Sequence, residues 1–228
     1  MAAKGQAEKV PAYTAQQIAQ GAKSGQWAQQ NRKNGAVPKN VSMSSTAPEG
    51  QSGAATANSA LAGLTYDQVK PSGSYSQYQQ NGITMSYPSN WQAASGQNGG
   101  VTIAPQAGVS AGAVAYGVIV GGAQMPSGTS LDQATQALVQ NMEQGNPGLQ
   151  ASGSPKGASV NGMQARSQML MGNSPVEQNG KPLREQDWLV AIQGPNNQLV
   201  YAVFVAPQRD FNRLKSTYQR MLRSLQLQ

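Results

Sequence analysis

The chain has 228 residues, 16 lysines and arginines against 9 acidic residues, a formal charge of +7, and neither histidine nor cysteine. Those two absences exclude imidazole acid–base chemistry, thiol nucleophiles, thiolate or imidazole zinc sites and disulfides within the chain. Only 11% of residues are charged, against ~25% in a typical globular protein. The basic residues form no dense run, so nucleic-acid binding is disfavoured.

Residues 1–70 hold scattered Gly, Ala, Ser and Gln, few apolar residues in any period, and a linker-like run from Ser42 to Ala60. Such a segment cannot bury a core that offsets chain entropy, and a tether is expected. One short helix is predicted over Thr14–Lys23, where Thr14 and Gln17 have capping-box spacing, and Trp27 is the large anchor nearby. No apolar stretch of the signal-peptide kind follows Met1. The folded domain is expected over 71–228.

From Gly73 the pattern changes to strands separated by turn signals. Ser74–Gln79 and Ile83–Tyr87 flank Asn81-Gly82, the strongest short-range hairpin signal. Strands are predicted next at Val101–Ala104 and Ala113–Val120. The longest apolar stretch, Val109 to Ala123, is shorter than the ~20 residues a bilayer requires and is interrupted by Ser110, Gly112, Gly117, Gly121 and Gly122. It reads as buried strand. A helix over Ser130–Glu143 carries Leu131, Ala134, Leu138 and Met142 on one stripe. Asn161-Gly162 turns the chain between strands at Gln150–Val160 and Met163–Met171. A last hairpin pairs Asp187–Ile192 with Leu199–Val205 around Gly194-Pro195-Asn196-Asn197. The closing helix, Asp210–Leu225, gathers Phe211, Leu214, Tyr218, Met221, Leu222 and Leu225 within ~100°. Hairpin-connected strands with two helices predict an α+β fold, an antiparallel sheet covered by helices.

The run Gly82-Ile83-Thr84-Met85-Ser86-Tyr87-Pro88-Ser89-Asn90-Trp91, then Val101-Thr102-Ile103-Ala104-Pro105, a mid-domain helix and a closing hairpin plus helix, resembles the PsbP-like fold, an α/β/α sandwich. More narrowly, the chain resembles the C-terminal accessory region of secreted bacterial zinc metallopeptidases of the HExxH type, with Pro11-Ala12-Tyr13-Thr14 similar to the linker after the peptidase domain. That resemblance implies a non-catalytic accessory role in a periplasmic or secreted system. The HExxH motif itself is absent, and no peptidase ligand carries over. The low-charge, amide-rich composition leans the same way on location.

Gly108-Val109-Ser110-Ala111-Gly112 matches the G-x-S-x-G nucleophile elbow, but that motif requires a helix after the serine and a histidine base. A strand-entry loop is the expectation. Glu185 and Asp187 lie on one strand face and read as solvated charges near Arg184 rather than ligands of a hard cation. No cofactor, metal or catalytic residue is therefore assigned. On the closing helix Arg209, Arg213, Arg220 and Arg223 project within ~80° of one another, opposite the apolar stripe. The plain reading is a solvated face whose C-terminal cations the helix dipole favours; the sharper one is a ridge of guanidinium forks for an acidic protein partner or an anionic lipid headgroup. Trp91 and Trp188 read as core, with Tyr87-Pro88 and Trp91 forming a turn packed over the sheet edge; the alternative surface is a cleft between that turn and Tyr75 and Tyr78 that would accept a peptide, small molecule or lipid.

Overall fold

The computed structural model describes residues 63–95, 100–110, 113–146, 148–178 and 181–228. The helix expected at Thr14–Lys23, Trp27, the Ser42–Ala60 run and Pro11–Thr14 lie outside them. A short helix, α1 (Tyr66–Val69), opens the described chain, with the Thr65 N–H donating to Gln68 Oε1 at 2.9 Å in a capping box. Leu64 and Val69 are buried in the core, so the packed unit reaches back ahead of the expected boundary at residue 70. The reason is an anchor from the other side: Trp91 Nε1 donates to the Val69 carbonyl at 3.3 Å.

β1 (Tyr75–Gln80) and β2 (Ile83–Pro88) form the first hairpin. Asn81 and Gly82 have φ of 54° and 72°, the two positive values a type I′ turn demands. β3 (Gln92–Ser95) and β4 (Val101–Ala104) follow. The single strand expected over Ala113–Val120 is broken. β6 (Ala113–Val114) pairs with β5 (Val109–Ser110), whereas β7 (Gly117–Gln124) joins the main sheet. The break covers Ala115 and Tyr116, just before Gly117, whose φ is 152° and where an added Cβ would stand 2.7 Å from the Ile103 carbonyl oxygen. Only a residue without a side chain permits that approach.

Helix α2 (Leu131–Gly145) starts as expected at Ser130, whose hydroxyl accepts from the Gln133 N–H at 3.2 Å. The strand expected over Gln150–Val160 is instead two, β8 (Leu149–Ala151) and β9 (Lys156–Val160). Gly153 at φ 78° and Pro155, which has no N–H, interrupt the ladder. Both strands pair with β10 (Met163–Gln178) at successive stretches. β10 and β11 (Lys181–Gln193) run well past their expected ends as one long hairpin. β12 (Gln198–Pro207), helix α3 (Gln208–Ser224) and the short β13 (Gln226–Leu227) complete the chain.

The main sheet is antiparallel in the order β3-β4-β7-β12-β11-β10-β8, with β9 also on β10; β1-β2-β13 form a smaller sheet. Alternation along β11 divides the core in two. Val190 and Ile192 join the cluster under α3, with Trp188 packed against it, whereas Leu189 and Ala191 join the cluster under α2. The α+β fold class read from the sequence is therefore present, one helix layer on each face. All six apolar residues predicted for the closing helix are buried. Tyr218 sits at the centre of that face, its ring 6.3 Å from Trp91, 5.0 Å from Phe204 and 5.8 Å from Phe211, and its hydroxyl donating to the Val205 carbonyl at 2.7 Å. Both Asn-Gly turns hold the chain that follows α3: Asn161 Nδ2 donates to Leu225 O, and Gly82 O accepts from the Gln228 N–H at 2.9 Å. No helix among the described residues is long and apolar enough to cross a membrane.

Candidate functional site: the arginine face of the last helix

Helix α3 carries Arg209, Arg213, Lys215, Arg220 and Arg223 against one acidic residue, Asp210. Its strongly one-sided apolar stripe fixes the roll of the helix, and all four arginines come out exposed on the far side from the core. Asp210 does not share that exposure. It is 5% exposed and accepts from the Tyr116 hydroxyl at 2.8 Å. Burial, and then the bond to Asp210, push the Tyr116 hydroxyl well above the ordinary tyrosine range, so it remains a donor throughout the physiological range. The negative charge of α3 is thus drawn inward and the positive charge left outside.

Three of the four arginines are held by groups far away in the chain. Arg213 lies over the Tyr66 ring of α1 at 3.5 Å, with its Nη1 3.6 Å from Asp210 Oδ1. Arg220 lies over the Tyr75 ring of β1 at 3.8 Å. Arg209 Nη2 donates to the Leu64 carbonyl at 2.9 Å while its Nε stands 3.4 Å from Asp210 Oδ2. Each stacked pair contributes ~0.5–1 kcal/mol at an exposed site. More usefully, a ring beneath a guanidinium fixes its plane while leaving the N–H edges outward, and such a fork matches a carboxylate in two-point fashion. Arg209 differs from the other three in fastening the segment before α1 to the helix. Tyr66, Tyr75 and Tyr116 were not read from the sequence as parts of this face. The capping-box spacing of Thr65 and Gln68 is the one local signal that marked α1.

The second predicted surface is not gathered into one site. Tyr75 and Tyr78 are an odd number of residues apart on β1 and point to opposite faces: Tyr75 lies under Arg220, and Tyr78 is buried opposite Met85. Trp91 is core, its ring edge-on to Tyr218 and its N–H taken by Val69. Tyr87 is half-buried, packed against the same cluster.

Two further expectations change. The Gly108–Gly112 run, expected as a strand-entry loop, contains the two-residue β5 (Val109–Ser110), paired with β6. Glu185 and Asp187, expected to be solvated, are 8% and 4% exposed. They sit on β11, an interior strand flanked by β10 and β12, on the face toward α2. Burial raises both carboxyls above the ordinary range, and the charge of Glu185 raises Asp187 further; a Ser174 hydroxyl bond pulls Glu185 partly back. Arg184 is exposed and donates to Asn173 Oδ1 at 3.3 Å. Among the described residues no group of three or more acidic side chains is placed to hold a metal ion.

No family model matches the chain, and no curated protein matches it. Among solved structures it is similar to cyanobacterial PsbP from Synechocystis sp., at 14% identity and a TM-score of 0.48, over 70% of this chain and 95% of that one. It is also similar to LpqN of Mycobacterium tuberculosis, a protein involved in cell envelope biogenesis, at 12% identity and TM-score 0.47, over 68% of this chain and 90% of that one. A variant of the protein Mog1 matches at 14% identity and TM-score 0.45, over 68% and 96%. A PsbP thus stands among the similar structures. At these scores no site or activity is carried over.

Proposed function

We propose that the chain is a non-catalytic binding module that receives an acidic protein partner on the arginine face of α3. One observation carries this: the exposed charge of α3 is entirely basic, its sole acid is buried against Tyr116, and two of its guanidinium planes are fixed by Tyr66 and Tyr75. Preorganised forks lower the ordering cost of binding, and a one-sign face steers an oppositely charged partner. We place the module in an extracytoplasmic bacterial metallopeptidase system, as the accessory domain, with the residues before Leu64 as its tether. The motif resemblance at Tyr87-Pro88 and Trp91 and the low charge content support that setting. A reading frame encoding HExxH immediately upstream of Met1 is its test.

A cleft near Trp91 has weaker support, because Trp91 is spent on Val69 and Tyr218. The binding surface is tested with the triple variant Arg213→Gln, Arg220→Gln, Arg223→Gln, leaving Arg209 because it fastens Leu64. Titrated with a fluorescent Asp/Glu-rich peptide, the parent chain should bind more weakly as salt shortens the screening length from ~10 Å at 0.1 M to ~3 Å at 1 M. The variant should lose ~10-fold or more in affinity and most of the salt slope. Equal affinity in parent and variant removes the arginine face as the interface. Binding confined to vesicles containing phosphatidylglycerol assigns the face to lipid headgroups instead.

A further inference from the structure

The α2 face of the sheet contains a polar feature that partner binding does not use. On β11, Glu185 and Asp187 point the same way, two residues apart, and the cross-strand neighbours of Asp187 are Leu170 on β10 and Val205 on β12, both apolar. Glu185 faces Gly172 and Pro207, with the Ser174 hydroxyl as its donor. Asp187 Oδ1 has no hydrogen-bond partner, although the residue is almost wholly buried. A second acceptor on the same face, Gln168 Oε1 on β10, is buried and without a partner as well. Two tyrosines stand near the pair: Tyr201 of β12, packed on the same cluster with its hydroxyl pushed up by burial, and Tyr218 of α3, its hydroxyl pushed up by burial and further by the charge of Asp187. The charged side chains of the surrounding elements are engaged elsewhere. Glu143 of α2 accepts from the Ala151 N–H at 2.8 Å. Asp132 of α2 is paired with Arg166 of β10, and the Tyr218 hydroxyl donates to Val205. Arg184 donates to Asn173. None of the three ion pairs among the described residues involves Glu185 or Asp187.

Two carboxylates at this spacing, out of water and with no counter-ion, cannot both be charged at small cost. One proton keeps the pair tolerable: a protonated carboxyl carries no charge and becomes a donor. We propose that Glu185 and Asp187 form a proton-operated latch beneath α2, which holds the helix on the sheet while at least one carboxyl is protonated and loosens that face when both protons have passed to solvent. The burial-driven rise of both groups agrees in direction. The sign follows from linkage. Both groups are raised above their unfolded values of ~4, so their contribution to stability is fully present below about pH 4 and is lost as pH rises through their folded values.

The test is thermal melting of the full chain from about pH 4 to pH 9, with amide hydrogen exchange corrected for the intrinsic pH dependence. The melting midpoint should fall with rising pH by ~3 °C or more, the shift given by one pKa unit in a domain of this size. Protection should be lost in α2 and β8 before α3. In Asp187→Asn the fall should shrink to the part that the burial of Glu185 alone carries, and Glu185→Gln serves as the second variant if the first folds poorly. A fall of undiminished size in both variants, or a loss of protection spread evenly over α2 and α3, overturns the latch.

Discussion

The two faces of the main sheet are built on different principles. Under α3 the core is aromatic: Trp91, Trp188, Phe204, Phe211 and Tyr218 meet ring to ring, and each polar atom of this wedge has a partner, Trp188 Nε1 on Ser167 Oγ at 2.8 Å and Tyr218 on Val205 among them. Under α2 the core is aliphatic, from Leu131 and Leu138 to Leu170 and Leu189, and it encloses Gln168, Glu185 and Asp187 with two acceptors unmatched. The α3 side also leaves atoms unmatched, the buried hydroxyls of Tyr78 in its cluster and of Thr84 on β2, but these are neutral. The α2 side encloses two carboxyls, and a face with buried titratable groups is the one a change in pH can alter. The aromatic face is also the one whose helix displays the arginines. Rigidity there serves binding, because a fork is preorganised only if its helix and the rings beneath it stay fixed.

The contrast can be broken most severely at the centre of the aromatic face. Leu214→Ala removes a fully buried side chain of α3 and should cost ~2–5 kcal/mol by denaturant unfolding. A cost below ~1 kcal/mol would mean that this face repacks as easily as a loose one. Next in size is removal of everything before Pro71, which deletes buried Leu64 and Val69. At roughly 3 kcal/mol for the two side chains, the melting midpoint should drop by ~6–12 °C. An unchanged midpoint would show that α1 adds nothing to the core and that Arg213 gains its order elsewhere. Tyr116→Phe removes the hydroxyl donor to buried Asp210 and should cost ~1–3 kcal/mol. Smallest is Arg220→Ala, which forfeits the stack on Tyr75 and should cost ~0.5–1 kcal/mol.

What was legible in the sequence was local. The two Asn-Gly turns, the Ser130 cap of α2 and the stripe of α3 each depend on residues a few positions apart, and each stands where it was read. Breaks in strands were missed where a single residue decided them, as just before Gly117, whose φ answers to the neighbouring Ile103 backbone rather than to its own segment. The burial of Glu185 and Asp187 was illegible for a related reason. Two acids beside an arginine look solvated until β11 is seen to lie between β10 and β12, a matter of strand order. The arginine ridge lies between these cases: its angular spacing is written in α3, but Tyr66, Tyr75 and Tyr116 reach it only through tertiary structure.

The binding surface is observed most directly by nuclear magnetic resonance of the side chains themselves during titration with the acidic peptide. The Nε–Hε signals of Arg213, Arg220 and Arg223 should shift together and saturably, while the indole N–H signals of Trp91 and Trp188, buried or bonded on the inner side, stay in place. A saturable shift of the Trp91 indole with unmoved guanidinium signals would contradict the account and move the site to the turn after β2.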